Sequence, residues 1–204
     1  MKEKYSKDLE EIKDIMNRTT RFVSLSGLSG VSTGITALAG VFLAYFTIFK
    51  DQDFLVYNQV VLSQDKLWYL LLIACGTLML SIVNAMFFTS RNTRNQNERV
   101  WDIQTKRLLI NLAIPLVTGG LLCLMLLFKG FVGILPPLAL IFYGLALVNG
   151  SKYTLPEIRN LGLVEILLGL IAFQLIDFGL IFWAIGFGLI QIFYGLIIQR
   201  KYTL

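Results

Sequence analysis

The chain contains no histidine. That absence removes the commonest general base at neutral pH, the proximal ligand of haem and the metal ligands of an H-E-x-x-H zinc site. Cysteine is nearly as scarce. Cys75 and Cys123 are the only two, and both fall inside apolar runs, where a thiol packs as a small hydrophobe. They imply neither a disulfide framework nor a metal-binding cluster. Charge is thin as well: Asp, Glu, Lys and Arg make up 15% of 204 residues, against about 25% in an ordinary soluble domain. There is no phosphate-binding loop and no pair of aspartates within the apolar runs. The chain is therefore expected to have no catalytic residues, no cofactor and no metal.

What is present is apolar length. Hydrophobic residues make up 56% of the chain and the mean hydropathy is +0.70. Runs near 20 residues are long enough to cross a hydrocarbon core of about 30 Å. The net charge of +5 invites a nucleic-acid reading. It is rejected, because the basic residues cluster at the ends of the apolar runs, where membrane orientation and anionic headgroups account for them. Ala37-Leu38-Ala39 looks like a signal-peptide cleavage site, but a 21-residue polar region with five acidic residues precedes it and the apolar run continues to Phe49. A retained transmembrane helix is the better reading.

The pattern predicts an all-α protein, an integral membrane six-helix bundle of three helical hairpins behind a cytoplasmic amphipathic helix. Residues 1–21 form that first unit, with Tyr5, Leu9, Ile12 and Met16 on one stripe. Residues 22–204 form the membrane domain, with spans at about 22–49, 67–89, 107–128, 131–149, 157–176 and 178–199. Lys129-Gly130 and Asp177-Phe178-Gly179 are joints short enough to force hairpins. Thr154-Leu155-Pro156-Glu157 reads as a capping box with proline in the first turn. With both termini inside, fifteen of the eighteen Lys and Arg residues lie on the cytoplasmic side and only Lys50, Lys66 and Lys129 lie outside. Only an even number of spans gives that bias. Trp68 and Trp101 fall near the boundaries, as interfacial anchors do.

The chain also repeats itself. Ile141-Phe142-Tyr143-Gly144-Leu145 returns as Ile192-Phe193-Tyr194-Gly195-Leu196, and Lys152-Tyr153-Thr154-Leu155 returns as Lys201-Tyr202-Thr203-Leu204. The offset is one hairpin, so the repeat is parallel, with the first hairpin as a diverged third copy.

Small residues mark helix contacts in lipid, where no hydrophobic effect drives helices together. On the first span Ser26, Ser29, Thr33, Thr36 and Gly40 form one strip and Gly27, Gly30, Gly34 and Ala37 its neighbour. Leu28, Val31, Ile35, Leu38 and Phe42 are the expected lipid side. Gly162, Glu165, Gly169 and Ala172 share a face of the fifth span, and Ala184, Gly188, Gln191 and Gly195 a face of the sixth. Ala74, Thr77, Ser81 and Asn84 do so on the second.

Glu165 is the one ionisable residue well inside a span, roughly 9 Å along the helix from Arg159. A carboxylate at that depth costs about 2–3 kcal/mol unless it is protonated, paired or wetted. Depth counting places Asn84, Asn111, Tyr143, Tyr194, Ser26 and Ser29 in the same layer. Glu165 is expected to hydrogen-bond at least one of Tyr143, Tyr194, Asn111 or Ser29. Such a layer serves either as structural glue or as a proton or cation site.

Gly27-Leu28-Ser29-Gly30 matches the G-x-S-G of rhomboid proteases, but those enzymes need a histidine to take the serine proton. The match is read as a packing face. The stretch Gly162 to Gly195, with its two glycine-spaced helices around a short turn, resembles the hairpin-repeat membrane proteins of the bacterial acid-resistance (HdeD-type) kind. That resemblance implies six spans in three hairpins. The charged N-terminal part and Arg21 to Gly30 depart from it and are similar to other bacterial membrane proteins, from which no activity carries over.

Two functional expectations follow. One is a non-enzymatic inner-membrane protein, stress-related or partner-regulating, that acts through its N-terminal helix and residues 90–107. The other is a small transporter or channel built on the Glu165 layer. The expected partners are the lipid bilayer, a second copy of the chain and a cytoplasmic protein, with no nucleic acid.

Overall fold

The computed structural model describes residues 27–50, 64–95 and 103–202. The N-terminal segment 1–21, Ser26, the middle of the second loop with Trp101, and Thr203-Leu204 of the repeated tetrapeptide lie outside the described residues. Within the described residues every regular element is helical.

Six rods follow in chain order. Helix α1 runs over Gly27–Ala44 and continues as a π-helix through Tyr45–Phe49. Helix α2 spans Gln64–Asn95, α3 Ile103–Phe128, α4 Leu135–Gly150 and α5 Pro156–Gln174. Helix α6 covers 179–202 in three parts: α-helical Gly179–Trp183, π-helical Ala184–Ile190 and α-helical Gln191–Tyr202. Five stretches are long and apolar enough to cross a membrane: Gly27–Phe49, Asp65–Arg91, Gln104–Phe128, Val132–Tyr153 and Ile176–Tyr202. The chain is a multi-pass helical membrane protein. The rod missing from these five is α5, which carries Glu157, Arg159 and Glu165 within 19 residues.

The helices begin and end within a few residues of the expected spans. The largest difference is α2, which overruns 67–89 to Gln64 and Asn95. Hydropathy marks only the part of a helix suited to hydrocarbon, whereas backbone hydrogen bonding continues until something breaks it. Helix α3 carries Pro115 inside it, and α4 opens with Pro136 and Pro137 in its first turn, where missing N–H groups leave no gap.

The two short joints are built differently. After α3, Gly130 takes φ 85°, its N–H bonds the Leu127 carbonyl, and the Phe131 N–H reaches back to Leu126 O, each at 3.0 Å. This is a Schellman stop, and its left-handed residue favours glycine. After α5, Leu175 ends the helix and the 3₁₀ turn Ile176–Phe178 reverses the chain. The capping box at 154–157 is corrected. The N-cap is Leu155 rather than Thr154, with Pro156 in the first turn. Glu157 is drawn instead to Lys201 and Tyr202 of α6, because a full cation and a phenol offer more than one backbone amide.

Consecutive helices are antiparallel, and glycines set who touches whom. The α4–α5 seam is the most extensive in the bundle. A Cβ at Gly162 would stand 2.7 Å from the Gly144 carbonyl oxygen, and one at Gly169 2.9 Å from that of Pro137. The α1–α6 seam is alike: a Cβ at Gly195 would stand 2.8 Å from Gly27 O, and one at Gly34 the same distance from Gly188 O. Helix α2 packs on α1 through Gly40 against Thr77 and an Asn84 Nδ2 to Thr36 Oγ1 bond of 3.1 Å. Helix α3 packs on α4 through Gly119 against Phe142 and an Asn149 Nδ2 to Asn111 O bond of 3.0 Å.

Arg91, Lys106, Arg107, Lys152, Arg159, Arg200 and Lys201 consequently gather at one end of the bundle, and Lys50, Lys66 and Lys129 lie at the other. The two strips of α1 serve different partners, the glycines facing α6 and Thr36 and Gly40 facing α2. Leu28, Ile35 and Phe42 are exposed as expected. Leu38 is not on that side: its side chain lies against Gly188, where the absent Cβ leaves room.

Candidate functional site

The face of α5 that reads Gly162, Glu165, Gly169, Ala172 is buried along its whole length. The glycines bring α4 so close that Glu165, between them, is carried to where α4, α5 and α6 meet. Its exposure is 0%, the least of any charged residue described. A Cβ on Gly186 of α6 would stand 2.6 Å from Glu165 Oε2, so only glycine leaves room for the carboxyl. Leu140 of α4 and Leu168 of α5 crowd the same point.

Neither oxygen of Glu165 has a hydrogen-bond partner among the described residues. A buried, unpartnered carboxyl carries the full loss of its hydration, so it demands an explanation beyond packing. Gly186 belongs to the π-helical part of α6, where the backbone is wider and its hydrogen bonds are displaced. Such bulges occur frequently at functional sites.

The described members of the expected polar layer are not joined around Glu165; three separate groups stand out. The first is Glu165 with Tyr143, which lies within electrostatic reach of it. Tyr143 does not bond Glu165; its hydroxyl donates to Gln191 Oε1 of α6 at 3.1 Å, and its ring meets Phe187 at 5.0 Å. The second group is Asn84 with Thr36, on the α1–α2 contact. The third is Asn111, whose amide donates to Arg107 O of its own helix and whose carbonyl accepts from Asn149. Tyr194 packs with Leu147, Leu155 and Ile198 in an apolar cluster at the basic end. Ser29 is buried on α1. The expected bond from Glu165 to Tyr143, Tyr194, Asn111 or Ser29 is not formed. Equal depth puts residues in one plane, but rotation about each helix axis decides which of them meet.

Most small hydroxyls likewise turn inward on their own helices. Ser32, Thr33, Thr36, Thr77 and Thr118 each donate to a carbonyl three or four residues back. Much of the polarity of these strips is thus spent within the helix, with Thr36 also accepting from Asn84. An apolar groove of about 350 Å³ opens between α1 and α6, lined by Leu38, Val41, Phe42, Tyr45, Leu180, Ile181 and Ala184. Glu165 is not part of its lining.

Two closures flank the carboxyl. Toward the basic end lie the Tyr143–Gln191 bond and, beyond it, a latch in which Glu157 accepts from Lys201 Nζ at 2.6 Å and from Tyr202 OH at 3.1 Å. Toward the other end Trp183 packs on the cluster of Ile48, Phe49, Leu127, Val132 and Leu180, its indole N–H buried and unpaired among the described residues. Gly186, Trp183 and the latch carry no signal in the sequence as site residues. Gln191 does stand in the expected small-residue strip, but as a packing residue. No group of three or more metal-ligating side chains occurs among the described residues.

No protein-family model, curated protein or solved structure matches this chain.

Proposed function

We propose that the chain is a small proton-coupled carrier of a bacterial inner membrane, with Glu165 as the residue that takes up and releases the proton. The observation behind this reading is the fully buried carboxyl with no hydrogen-bond partner, set against a glycine in a π-helical segment. An ionisable group kept inside a membrane bundle is functional by default, since leucine there is cheaper and packs as well.

The proton, rather than a metal cation, is the ion that suits this site. Sodium, calcium or magnesium would ask for several oxygen ligands. Beside Glu165 stand Leu140, Leu168 and the backbone of Gly186, and the nearby Tyr143 offers one hydroxyl, already bonded to Gln191. A proton needs only the carboxyl itself. A carrier suits the site better than an open channel, because the carboxyl is closed off in both directions. The Glu157–Lys201–Tyr202 latch is then the inner gate, and the Trp183 cluster the outer one.

In this reading α5 is also a span. Its 19 residues rise about 28 Å and lie along α4 throughout. Six spans place both termini and the basic end on the cytoplasmic side. The regulatory reading draws on residues 1–21 and 90–107, which lie wholly or partly outside the described residues, and it gives Glu165 no task.

The test has two parts. pH-difference infrared spectroscopy on the purified protein is expected to show a carboxyl C=O band that disappears in Glu165→Gln. Liposomes containing wild type and a pH-sensitive dye are expected to take up protons faster than liposomes containing Glu165→Gln. An unchanged carboxyl band in the variant, or equal uptake by the two proteins, would overturn the reading.

A further inference from the structure

We infer that the open junction between α2 and α3 is filled by a second copy of the chain, α2 of one protomer packing on α3 of its partner along the faces that carry Gly76 and Gly120. The repeat is the starting point. Three hairpins in a ring have three junctions, each from the second helix of one hairpin to the first helix of another. Two of these are closed, α4 to α5 and α6 to α1, and both close through the glycine of the repeated pentapeptide: Gly144 meets Gly162, and Gly195 meets Gly27 and Gly30. The third junction, α2 to α3, is not made; among the described residues these helices form no extensive contact.

The second observation is independent of the repeat. Among the described residues, Gly76 and Gly120 are the two helical glycines at which an added Cβ would meet nothing within 4 Å. Every other helical glycine whose surroundings are described touches a neighbouring helix. A glycine inside a helix costs about 1 kcal/mol relative to alanine, and in lipid it is recovered only where another helix approaches. Acyl chains cover any apolar face and gain nothing from a missing side chain. The two glycines fall on the two helices that border the gap. Counted from the basic end, Gly76 is nineteen residues from Asn95 and Gly120 seventeen from Ile103, so their depths agree within about 3 Å.

A second copy, rather than closure within one chain, follows from what holds each helix. Helix α2 is bound to α1 by Asn84 and Thr77, and α3 to α4 by Asn149 and Gly119. A two-fold axis along the membrane normal sets α2 on the partner's α3 and α3 on the partner's α2. Both open edges are then closed and none remains.

The experiment uses a Cys75→Ser, Cys123→Ser background. Gly76→Cys and Gly120→Cys are placed on separately tagged full-length chains, co-expressed and treated in native membranes with a short bis-maleimide. A covalent dimer carrying both tags is expected, with little from either variant expressed alone. Efficient dimers from Gly76→Cys alone, or none in the mixture, overturn the inference. So does a chain bearing both cysteines that cross-links only to itself. Gly76→Leu and Gly120→Leu give a second reading, because no described residue occupies their space: they are expected to leave the monomer folded and convert the dimer to monomer. An unchanged dimer overturns the inference. Neither result bears on proton uptake by Glu165, which is read separately.

Discussion

Helix α5 has two neighbours, and its two contacts are built on opposite principles. Against α4 it is stripped of side chains. Gly162 and Gly169 let backbone approach backbone. Against α6 the contact is lighter, and it is held at the basic end by the ion pair of Glu157 with Lys201, with an unpartnered carboxyl two turns further in. A dry glycine seam fixes one geometry, because any shift loses close contacts along its whole length. A contact held by one ion pair with its lysine exposed has less to lose by opening than a seam close-packed along its length. In the proposed carrier α4–α5 is the frame, and α6, fixed to α1 by its own glycine seam, is the element that moves against it, with the π-helical segment at the level of the carboxyl.

The contrast is broken most severely by filling the frame. Gly162→Leu pushes side-chain atoms into the backbone of Gly144 and Val148 and is expected to cost about 3 kcal/mol or more. Thermal unfolding in detergent, followed by size-exclusion chromatography, would show a large drop in melting temperature; wild-type stability would mean that the seam is not close-packed.

Glu165→Leu acts in the opposite direction. It removes a buried group that has lost its water and found no partner, so the bundle is expected to gain about 1–3 kcal/mol while proton uptake disappears. Glu165→Gln is expected to lose uptake without that gain, since the amide is no better partnered. A loss of stability in Glu165→Leu would show that the carboxyl is held by a favourable interaction.

A smaller effect is expected from Asn84→Ala. It deletes the bond to Thr36 across α1–α2, worth about 0.6 kcal/mol for an interhelical bond in a membrane. Proton uptake should be unaffected, because Asn84 belongs to a different group of polar residues from Glu165. A uptake defect comparable to that of Glu165→Gln would join the two groups again.

The smallest change in stability is expected from Tyr202→Phe, which removes one of the two donors to Glu157 at the protein surface. Its effect should appear in rate instead, as faster proton uptake through a weakened inner gate. Slower uptake would assign Tyr202 to the proton path rather than to the gate.

The membrane character was legible from hydropathy alone, since hydrocarbon tolerates few sequences and makes apolar length diagnostic. Small-residue faces were legible as well. On α5 the strip Gly162, Glu165, Gly169, Ala172 is buried as its spacing predicted. On α1 the two adjacent strips do meet other helices, although nothing in their composition tells α6 from α2. The polar layer shows why the reading stopped there. Depth follows from counting residues at 1.5 Å each, so Asn84, Asn111, Tyr143 and Glu165 could be placed in one plane. Which of them meet depends on the positions and rotations of separate helices, which no local pattern records.

Chain order, helical periodicity and the scarcity of charge determined by themselves that this protein is helical and crosses a membrane more than once. These follow from the solvent and from the helix, and both act on residues close in sequence. That Gly186 opposes Glu165, that Tyr143 turns to Gln191 instead and that Glu157 leaves its helix cap for Lys201 were decided by the tertiary structure alone. Each is a choice between partners far apart in the chain, settled by how closely two backbones approach.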